Sequence, residues 1–369
     1  MSTLQIEIQL IAVVVAAACA LPGVFLVLRR MALMSDAISH AILLGIVLAF
    51  FITEDLSSPL LILGAAAMGV LTVTLVELIV RTRLVKEDAA IGLVFPVLFS
   101  IGVILISKFA GNVHLDTDAV LLGELAFAPF DRLVVFGADL GPRALYLMGS
   151  ILVLNLLFII IFYKELKLAT FDAGLAAALG FVPLVIHYVL MGLVSITAVG
   201  AFDVVGSILV VALMIAPPAT AYLLTDRLAR LIGLSVLFGA LSAIGGYWLA
   251  RGLDASIAGA MATMAGVIFG LVYLLAPDRG LIAIARRRRR QRWEFAQTML
   301  TIHLLNHEGT LEAVRESRVE HLREHMRWDM TFARRVVRYA EQHGLLRDEG
   351  GSLILTDEGR SLAQRAVVT

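Results

Sequence analysis

The sequence contains few charged residues and a single cysteine. Cys19 has no partner within the chain, which excludes a framework of internal disulfides. Charged residues make up only 16% of the 369 residues and hydrophobic residues 60%, whereas about 45–50% of a soluble globular protein is apolar. With a mean hydropathy of +0.91, this composition excludes an ordinary soluble enzyme and indicates an integral membrane protein.

Lysine is scarce as well, and its placement excludes ATP hydrolysis by this chain. In a P-loop, a lysine that directly follows a glycine reaches the phosphates of the nucleotide. None of the four lysines follows a glycine; they are Lys86, Lys108, Lys164 and Lys167. Energy for any transport step must therefore come from another subunit or from an ion gradient.

Apolar runs of about 20 residues, the length needed to cross a bilayer, recur along the first three quarters of the chain. The first run lacks a basic start and is long enough to span by itself, so we expect a retained helix and no cleaved signal. The sequence predicts about nine transmembrane helices, with eight or ten if a short run is re-entrant. The runs are 6–28, 33–52, 59–80, 88–108, 143–163, 181–200, 203–224, 231–250 and 257–275.

The basic residues between these runs predict the orientation of the chain. If the spans alternate, all the basic clusters fall on one side of the membrane, and the loops on the other side are acidic or mixed. Because short cytoplasmic loops are enriched in lysine and arginine, we predict an external N-terminus and a cytoplasmic C-terminus. The clusters are Arg29–Arg30, 81–86, 164–167, 225–230 and 286–290.

The charge distribution divides the chain into three parts. Residues 1–280 carry the apolar runs and form the predicted transmembrane domain. Residues 281–292 form a predicted basic juxtamembrane linker, whose arginines would bind anionic membrane lipid. Residues 293–369 are polar and form a predicted cytoplasmic domain. We therefore predict an all-α polytopic membrane protein with a small α+β domain at its C-terminus.

The second apolar run contains an acid and an imidazole one helical turn apart, Asp36 and His40. Residues at i and i+4 project from the same face of a helix, so the pair can offer one carboxylate oxygen and one ring nitrogen to a cation. This donor set suits Mn²⁺, Fe²⁺ or Zn²⁺ better than Ca²⁺ or Mg²⁺. Two ligands make a weak site, but two copies of the chain at a symmetry axis would supply four, so the hypothesis implies a dimer.

A second interpretation of this pair stays open, in which Ser35 or Asp36 caps the start of the helix and His40 bonds to a neighbour. Ionisable groups at membrane depth are costly and usually functional, which favours the metal path.

Other polar residues in or between the runs are further candidates for a metal path. Asp203 is the third residue that we assign to it. Glu77 and His187 could line it as well, or could cap helices or form interhelical hydrogen bonds. The sequence "HLDTD" at 114–118 is either a solvated external loop or a cluster of metal ligands.

Four stretches, in order along the chain, resemble the permease subunits of manganese, zinc and iron ABC importers. The resemblance covers roughly residues 25–275 and implies a type II-like importer, with Asp36 and His40 lining the path. It also implies a second permease subunit, two cytoplasmic ATP-binding subunits, an extracytoplasmic metal-binding protein and a place in the bacterial cytoplasmic (inner) membrane. The stretches are "RRMALMSDAISHAILLGIVLAF" (29–50), "KEDAAIGLVFPVLFSIGVIL" (86–105), "FDAGLAAALGF" (171–181) and "AVGAFDVVGSILVVALMIAPPATAYLLT" (198–225).

The third stretch is implied to be the segment that couples the permease to the ATPase. In the related cobalamin and siderophore permeases, a cytoplasmic helix before the last four spans docks into that subunit. The residues agree, because they form a short amphipathic piece with small side chains on the basic side of the membrane. The coupling residues are Phe171, Asp172, Ala173, Gly174, Leu175 and Gly180.

The C-terminal part has a pattern of three helices, a hairpin around Gly350 and Gly351, and a final helix. This order is typical of a winged helix and resembles the metal-dependent repressors of bacteria. From residue 293 onward, however, the chain has ten arginines, no lysine and twelve acidic residues, although Arg334, Arg335 and Arg338 lie on the would-be recognition helix. Because duplex DNA requires a clearly basic face, we do not expect DNA as a partner and favour a regulatory or docking module.

Five of the eight histidines lie in this C-terminal part. Two pairs are spaced i,i+4, which allows each pair to supply two metal ligands from one helix face. Two interpretations stay open, a solvated helix surface and a cytoplasmic metal sensor that limits import. The candidate residues are His303, His307, Glu320, His321, Glu324 and His325.

The function that the sequence favours is the permease subunit of an importer for a divalent transition metal, manganese first and zinc or iron as alternatives. We expect no permanently bound cofactor. One alternative is a permease for a larger chelate such as a siderophore, which would need neither Asp36 nor His40. Another is a membrane-tethered, metal-responsive regulator. A gradient-driven transporter is disfavoured, because the spans lack a central ladder of carboxylates.

Overall fold

The computed structural model describes residues 2–54, 58–109, 125–135, 138–310, 313–322 and 326–368. The chain divides into two compact units, Met1–Gly280 and Leu281–Thr369. The segment 114–118 lies outside the described residues.

The first unit is a bundle of helices with one small hairpin. Each of the nine predicted apolar runs is a helix among the described residues: eight are long enough to cross a membrane, and α9 is a shorter apolar helix. The prediction of a polytopic all-α membrane protein is therefore confirmed. The helices are α1 (Thr3–Leu28), α2 (Ala32–Thr53), α3 (Pro59–Arg81), α4 (Glu87–Phe109), α5 (Arg143–Ile161), α6 (Tyr163–Phe171), α7 (Ala173–Ala178), α8 (Pro183–Val205), α9 (Ser207–Tyr222), α10 (Leu228–Leu253) and α11 (Ile257–Leu275).

Helix α1 lies at the centre of the bundle and contacts α5, α8, α9 and α10. Its middle is a run of small and branched apolar residues, and Ala12, Val15 and Ala16 are completely buried. Small residues allow neighbouring backbones to approach closely, which is how helices pack where lipid removes the hydrophobic driving force. At Gly23, for example, an added Cβ atom would lie 2.1 Å from the carbonyl oxygen of Met214 on α9.

The outer helices present large apolar side chains to their surroundings. Leu63, Ile104, Ile160 and Leu275 are each more than 60% exposed. Soluble proteins rarely expose such large apolar side chains together to water, whereas lipid is a suitable solvent for them. The exposed surface therefore agrees with a bundle that is embedded in a bilayer.

A two-stranded antiparallel hairpin precedes α5 and consists of β1 (Arg132–Val135) and β2 (Ala138–Pro142). The Arg132 guanidinium contacts the carboxylate of Asp139 at 2.5 Å and that of Glu7 on α1 at 3.5 Å. These contacts hold the hairpin against the first turns of α1. The Arg132 contact and a hydrogen bond from the Gly141 N–H also lower the pKa of Asp139, with the backbone bond as the larger cause.

The second unit has its own hydrophobic core, in which Leu300 and Leu304 pack with Val336, Leu353 and Leu355. Its elements are α12 (Leu281–His307), α13 (Ala313–Glu316), α14 (Met330–Gln342), β3 (Leu346–Glu349), β4 (Ser352–Leu355) and α15 (Asp357–Val368). Residues 281–292, which the sequence analysis treats as a linker, form the first part of the continuous helix α12.

The hairpin of the second unit forms where the sequence predicts it. Strands β3 and β4 pair antiparallel, with Glu349 opposite Ser352. Gly350 and Gly351 have φ of +65° and +93°. A two-residue turn with two positive φ angles matches the twist of the strands that it joins, and glycine adopts such angles without steric cost. The resemblance of this unit to a winged helix stays a prediction.

Candidate metal path and coupling segment

The acid and the imidazole of the second apolar run lie inside a helix and do not cap it. Helix α2 begins at Ala32, and its N-cap is Met31, whose side chain makes no capping hydrogen bond. The Ser35 hydroxyl donates to the carbonyl oxygen of Ala32 at 2.9 Å. The interpretation of Ser35 or Asp36 as an N-cap is therefore wrong, because the helix starts a full turn before Asp36.

Asp36 and His40 lie side by side on one face of α2. The Oδ1 atom of Asp36 is 3.4 Å from Nε2 of His40, and the two side chains are 41% and 29% exposed. Two ligands that are each about 2.1 Å from a tetrahedral ion are about 3.4 Å apart. The pair is therefore spaced so that one small divalent ion can contact both atoms without a change of helix geometry.

Two aromatic rings on α4 position the imidazole. The ring of Phe95 stacks on His40 with centroids 5.8 Å apart, and the ring of Phe99 meets it edge-on at 5.7 Å. These contacts restrict rotation of the imidazole and keep its Nε2 atom turned toward Asp36.

Asp203 lies far from this pair. It is in the last turn of α8, and the charged residues that act on it are Arg143 and Asp131, at the end of the bundle that carries the hairpin of β1 and β2. Arg29, just before α2, contacts His187 near the start of α8, so α2 and α8 begin at the same end. Asp203 is about 24 Å further along α8, at 1.5 Å per residue. The structure therefore does not bring Asp203 together with Asp36.

His187 takes part in a polar contact between three elements. The Arg29 guanidinium donates from Nη1 to Nδ1 of His187 at 3.1 Å. Its Nε also donates to the hydroxyl of Thr170 on α6 at 3.2 Å. The sequence left open whether His187 lines a path or bonds to another helix, and this contact confirms the interhelical interpretation.

Glu77 makes a second contact of this kind. The hydroxyl of Tyr188 on α8 donates to Oε2 of Glu77 on α3 at 2.5 Å. Arg81, one turn further along α3, donates to Oε1 of Glu77 at 3.1 Å. The carboxylate is thus bonded on both oxygens, which offsets the cost of placing it in a membrane helix. The interhelical interpretation is confirmed for Glu77 as well.

The predicted coupling segment is a short helix with apolar residues on its surface. Phe171 ends α6, and the Asp172 carboxylate accepts a hydrogen bond from the N–H of Leu175 at 2.8 Å, which caps α7. Gly180 follows α7 with a φ of +88°, a conformation that favours glycine. Phe171 is 60% and Leu175 47% exposed. Ala173 and Gly174 form the first turn of α7. Thr170, at the end of the preceding helix α6, accepts the hydrogen bond from Arg29.

In the second unit, the structure groups the candidate ligands differently from the sequence prediction. His303 and His307 lie on α12, and the carboxylate that approaches them belongs to Glu316 on α13. Glu320 and His321 lie in a turn and not on the helix that the i,i+4 spacing predicts. Glu324 and His325 lie outside the described residues. Glu316 was not predictable from the sequence, because only the return of the chain after α12 brings it close to His303.

Comparison with known proteins identifies the first unit. Residues 2–276 match the model of the ABC 3 transport family. The zinc transport system membrane protein TroD of Treponema pallidum is 52% identical over 98% of this chain and 98% of its own length. The manganese transport system membrane protein MntD of Bacillus subtilis is 52% identical over 73% of this chain and 91% of its own.

A solved structure has the same fold. A chain of PsaBC from Streptococcus pneumoniae, solved in complex with a Fab, is 31% identical, covers 76% of this chain and 94% of its own length, and superposes with a TM-score of 0.63. The match to MntD spans 270 residues of this chain, whereas the match to TroD spans 361 residues and therefore includes most of the second unit. The apolar bundle, its helix order and these matches show that the chain belongs to the ABC 3 transport family and is a multi-pass membrane subunit of an ABC transporter.

Proposed function

We propose that this chain is the permease subunit of an ABC importer for a divalent transition metal ion, manganese or zinc. The observation that supports this most directly is the 3.4 Å separation of Asp36 and His40, in a chain that is 52% identical to permeases named for zinc and for manganese. One carboxylate oxygen and one imidazole nitrogen suit both ions. The ion is cargo, so the chain needs no resident cofactor.

Charge balance explains how such a pair could pass a divalent ion through a bilayer. A bare ion is very costly in a medium of low dielectric constant, so its water must be replaced by ligands that also neutralise it. In a dimer, two copies of Asp36 would cancel the charge of the ion, and two neutral copies of His40 would complete four ligands. A second permease subunit is therefore part of the proposal.

Asp203 has a separate place in this path. Because it lies at the end of the bundle opposite to the start of α2, it would contact the ion before Asp36 and His40 during import. Its carboxylate would attract the cation from the external side, where an extracytoplasmic metal-binding protein delivers it. Asp203 and the Asp36–His40 pair would then act in sequence.

The energy for transport would reach the bundle through α7. Two cytoplasmic ATP-binding subunits would each receive the exposed Phe171 and Leu175 of one permease in an apolar groove. The contact of Thr170 with Arg29 would connect a displacement of α7 to the segment between α1 and α2. In this proposal, α7 and the C-terminus lie in the cytoplasm of a bacterium and the bundle lies in its inner membrane. ATP hydrolysis belongs to the partner, and DNA is not among the partners.

Metal uptake by cells tests the proposal. We expect Asp36→Ala and His40→Ala each to reduce accumulation of radioactive manganese or zinc at least about tenfold. Mutation of a residue that only hydrogen-bonds a metal ligand lowers metal affinity or activity about 10–100-fold, and removal of a ligand itself should have an effect at least as large. His343→Ala is the matched control, because this exposed histidine lies in the second unit. Membrane levels of each variant are compared by immunoblot.

The outcomes of this experiment separate two parts of the proposal. Normal uptake by both Asp36→Ala and His40→Ala would reject the site but leave the permease role intact. Normal uptake by cells that lack the whole gene, with no other importer present, would reject the permease role. The ratio of manganese to zinc in the wild type decides between the two metals.

A further inference from the structure

Three side chains that can bind a metal lie together in the second unit. His303 and His307 are one turn apart on α12, and Glu316 lies on α13. One ligand atom from each of the three falls within 4.8 Å of the others. The Nε2 atom of His303 is 3.6 Å from Oε2 of Glu316, and the two imidazole rings have centroids 4.8 Å apart.

The cluster is much less exposed than the Asp36–His40 pair. The side chain of Glu316 is 6% exposed and that of His303 is 9% exposed. A carboxylate that leaves water is stable in its charged form only when hydrogen bonds or a cation compensate it. Two imidazoles and a carboxylate are a donor set that zinc and other divalent transition metals bind in proteins. Solvated helix surface, the alternative from the sequence, does not describe these residues.

His321 approaches the carboxylate from its other side. Its Nδ1 atom is 3.9 Å from Oε1 of Glu316, and its Nε2 atom accepts a hydrogen bond from the Arg315 guanidinium at 2.6 Å. Because Arg315 can only donate, the proton of a neutral His321 lies on Nδ1, toward Glu316. At 3.9 Å this contact is longer than a hydrogen bond, so His321 is a polar neighbour of the carboxylate.

We propose that His303, His307 and Glu316 form a binding site for a divalent transition metal ion, Zn²⁺ or Mn²⁺, separate from the transport path. Ligands on a tetrahedral ion are about 3.4 Å apart, so the three atoms, which lie within 4.8 Å of one another, need to close by about 1.4 Å at most. Coordination through Nε2 of His303 would replace its present 3.3 Å contact with the backbone oxygen of Glu316. Water would complete the coordination.

Binding at this site would connect α12 to the hairpin of the second unit. The segment after α13 pairs with β4, since the N–H of Leu353 donates to the carbonyl oxygen of Ser317 at 2.9 Å. An ion held by α12 and α13 would therefore fix the hairpin relative to the long helix. If the second unit lies in the cytoplasm, as proposed above, the fraction of chains with the hairpin fixed in this way would rise with the cytoplasmic concentration of the imported ion.

The test is a titration of the purified full-length protein in detergent with Co²⁺, whose visible absorption reports nitrogen and oxygen ligands, and with Zn²⁺ by calorimetry. The double variant Asp36→Ala, His40→Ala serves as the background, so that the proposed path does not contribute. We expect this background to bind one Co²⁺ per chain. Glu316→Gln and His307→Ala in the same background should weaken binding at least about tenfold, and His343→Ala should leave it unchanged.

The same titration can overturn the proposal. The site does not exist if the background binds no Co²⁺ at micromolar concentration, or if Glu316→Gln and His307→Ala bind as tightly as the His343→Ala control. A cluster with only a structural role would lower the thermal midpoint in Glu316→Gln without changing metal affinity. His307 is only half-buried, so we expect His307→Ala to fold. This variant therefore still tests the site if Glu316→Gln does not fold. The result is independent of transport, because the background lacks the Asp36–His40 pair.

Discussion

Glu77 illustrates how single polar residues are accommodated in the bundle. Its carboxylate lies on a membrane helix, and it accepts hydrogen bonds from Tyr188 and Arg81. Tyr188 comes from α8, so this bond joins two helices, whereas Arg81 belongs to the same helix as Glu77. The first bond therefore contributes to packing, and the second mainly balances charge.

Replacing Tyr188 with Phe should reduce the stability of the bundle. The change removes a hydrogen bond to a charged group, and such bonds contribute about 1.5–3 kcal/mol. The thermal unfolding midpoint in detergent should fall, and Tyr273→Phe, at an exposed ring on α11, should leave it unchanged. Equal thermal midpoints for Tyr188→Phe and the control would show that the hydrogen bond from Tyr188 to Glu77 does not stabilise the bundle.

At the scale of elements, close contact between α2 and α3 depends on two glycines. A Cβ atom on Gly45 would lie 2.3 Å from the carbonyl oxygen of Gly64, and one on Gly64 would lie 2.7 Å from the carbonyl oxygen of Gly45. Backbone atoms cannot move aside as a flexible side chain can. The two helices therefore need hydrogen as the side chain at both positions, and α2 carries the proposed metal ligands.

Gly45→Ala should separate α2 from α3 and destabilise the bundle by about 1–3 kcal/mol, the usual cost of overpacking. The matched control is Gly92→Ala on α4, where an added Cβ meets nothing within 4 Å. Alanine has the higher helix propensity, so the control should be as stable as the wild type or slightly more stable. Thermal unfolding of both variants in detergent makes the comparison; a stable Gly45→Ala protein would contradict the contact.

Helix α7 depends on its cap because a helix of six residues has little stability of its own. Asp172→Ala should cost about 1 kcal/mol at this cap and loosen the proposed contact with the ATPase. We expect metal-stimulated ATP hydrolysis by the assembled transporter to fall several-fold. Asp172→Ser should restore it, since serine also caps helices. If both variants hydrolyse ATP at the wild-type rate, the coupling role of this helix is wrong.

At the scale of the whole molecule, the number of crossings determines which loops share a side. Helix α4 lies between the loop that contains Leu84 and the hairpin that contains Leu140, so these two residues should be on opposite sides of the membrane. The native chain suits a labelling experiment, because its single cysteine, Cys19, is completely buried.

We expect a membrane-impermeant maleimide to label Leu140→Cys on intact spheroplasts and Leu84→Cys only after lysis. Both residues are exposed, and the wild type with its buried Cys19 should stay unlabelled. Inverted labelling would reverse the proposed orientation. Labelling of both variants on intact spheroplasts would show that α4 does not cross the bilayer.

Features that depend on neighbouring residues could be predicted from the amino-acid sequence alone. Hydropathy is a local property, so it located the nine apolar helices that the described residues form and the break before the second unit. Helical periodicity is local too, and it placed Asp36 and His40 on one face of α2. The turn at Gly350 and Gly351 was predictable because two adjacent glycines favour that geometry.

The tertiary structure decided the features that join distant parts of the chain. From the sequence alone, Asp203 and Asp36 are assigned to the same metal path. The direction of α8 places Asp203 at the end of the bundle opposite to the start of α2, where Asp36 lies. Tyr188 reaches Glu77, and Glu316 reaches His303, because the chain returns after intervening helices. Hydropathy and periodicity describe one segment at a time, so they carry no information about which side chains meet when segments pack together.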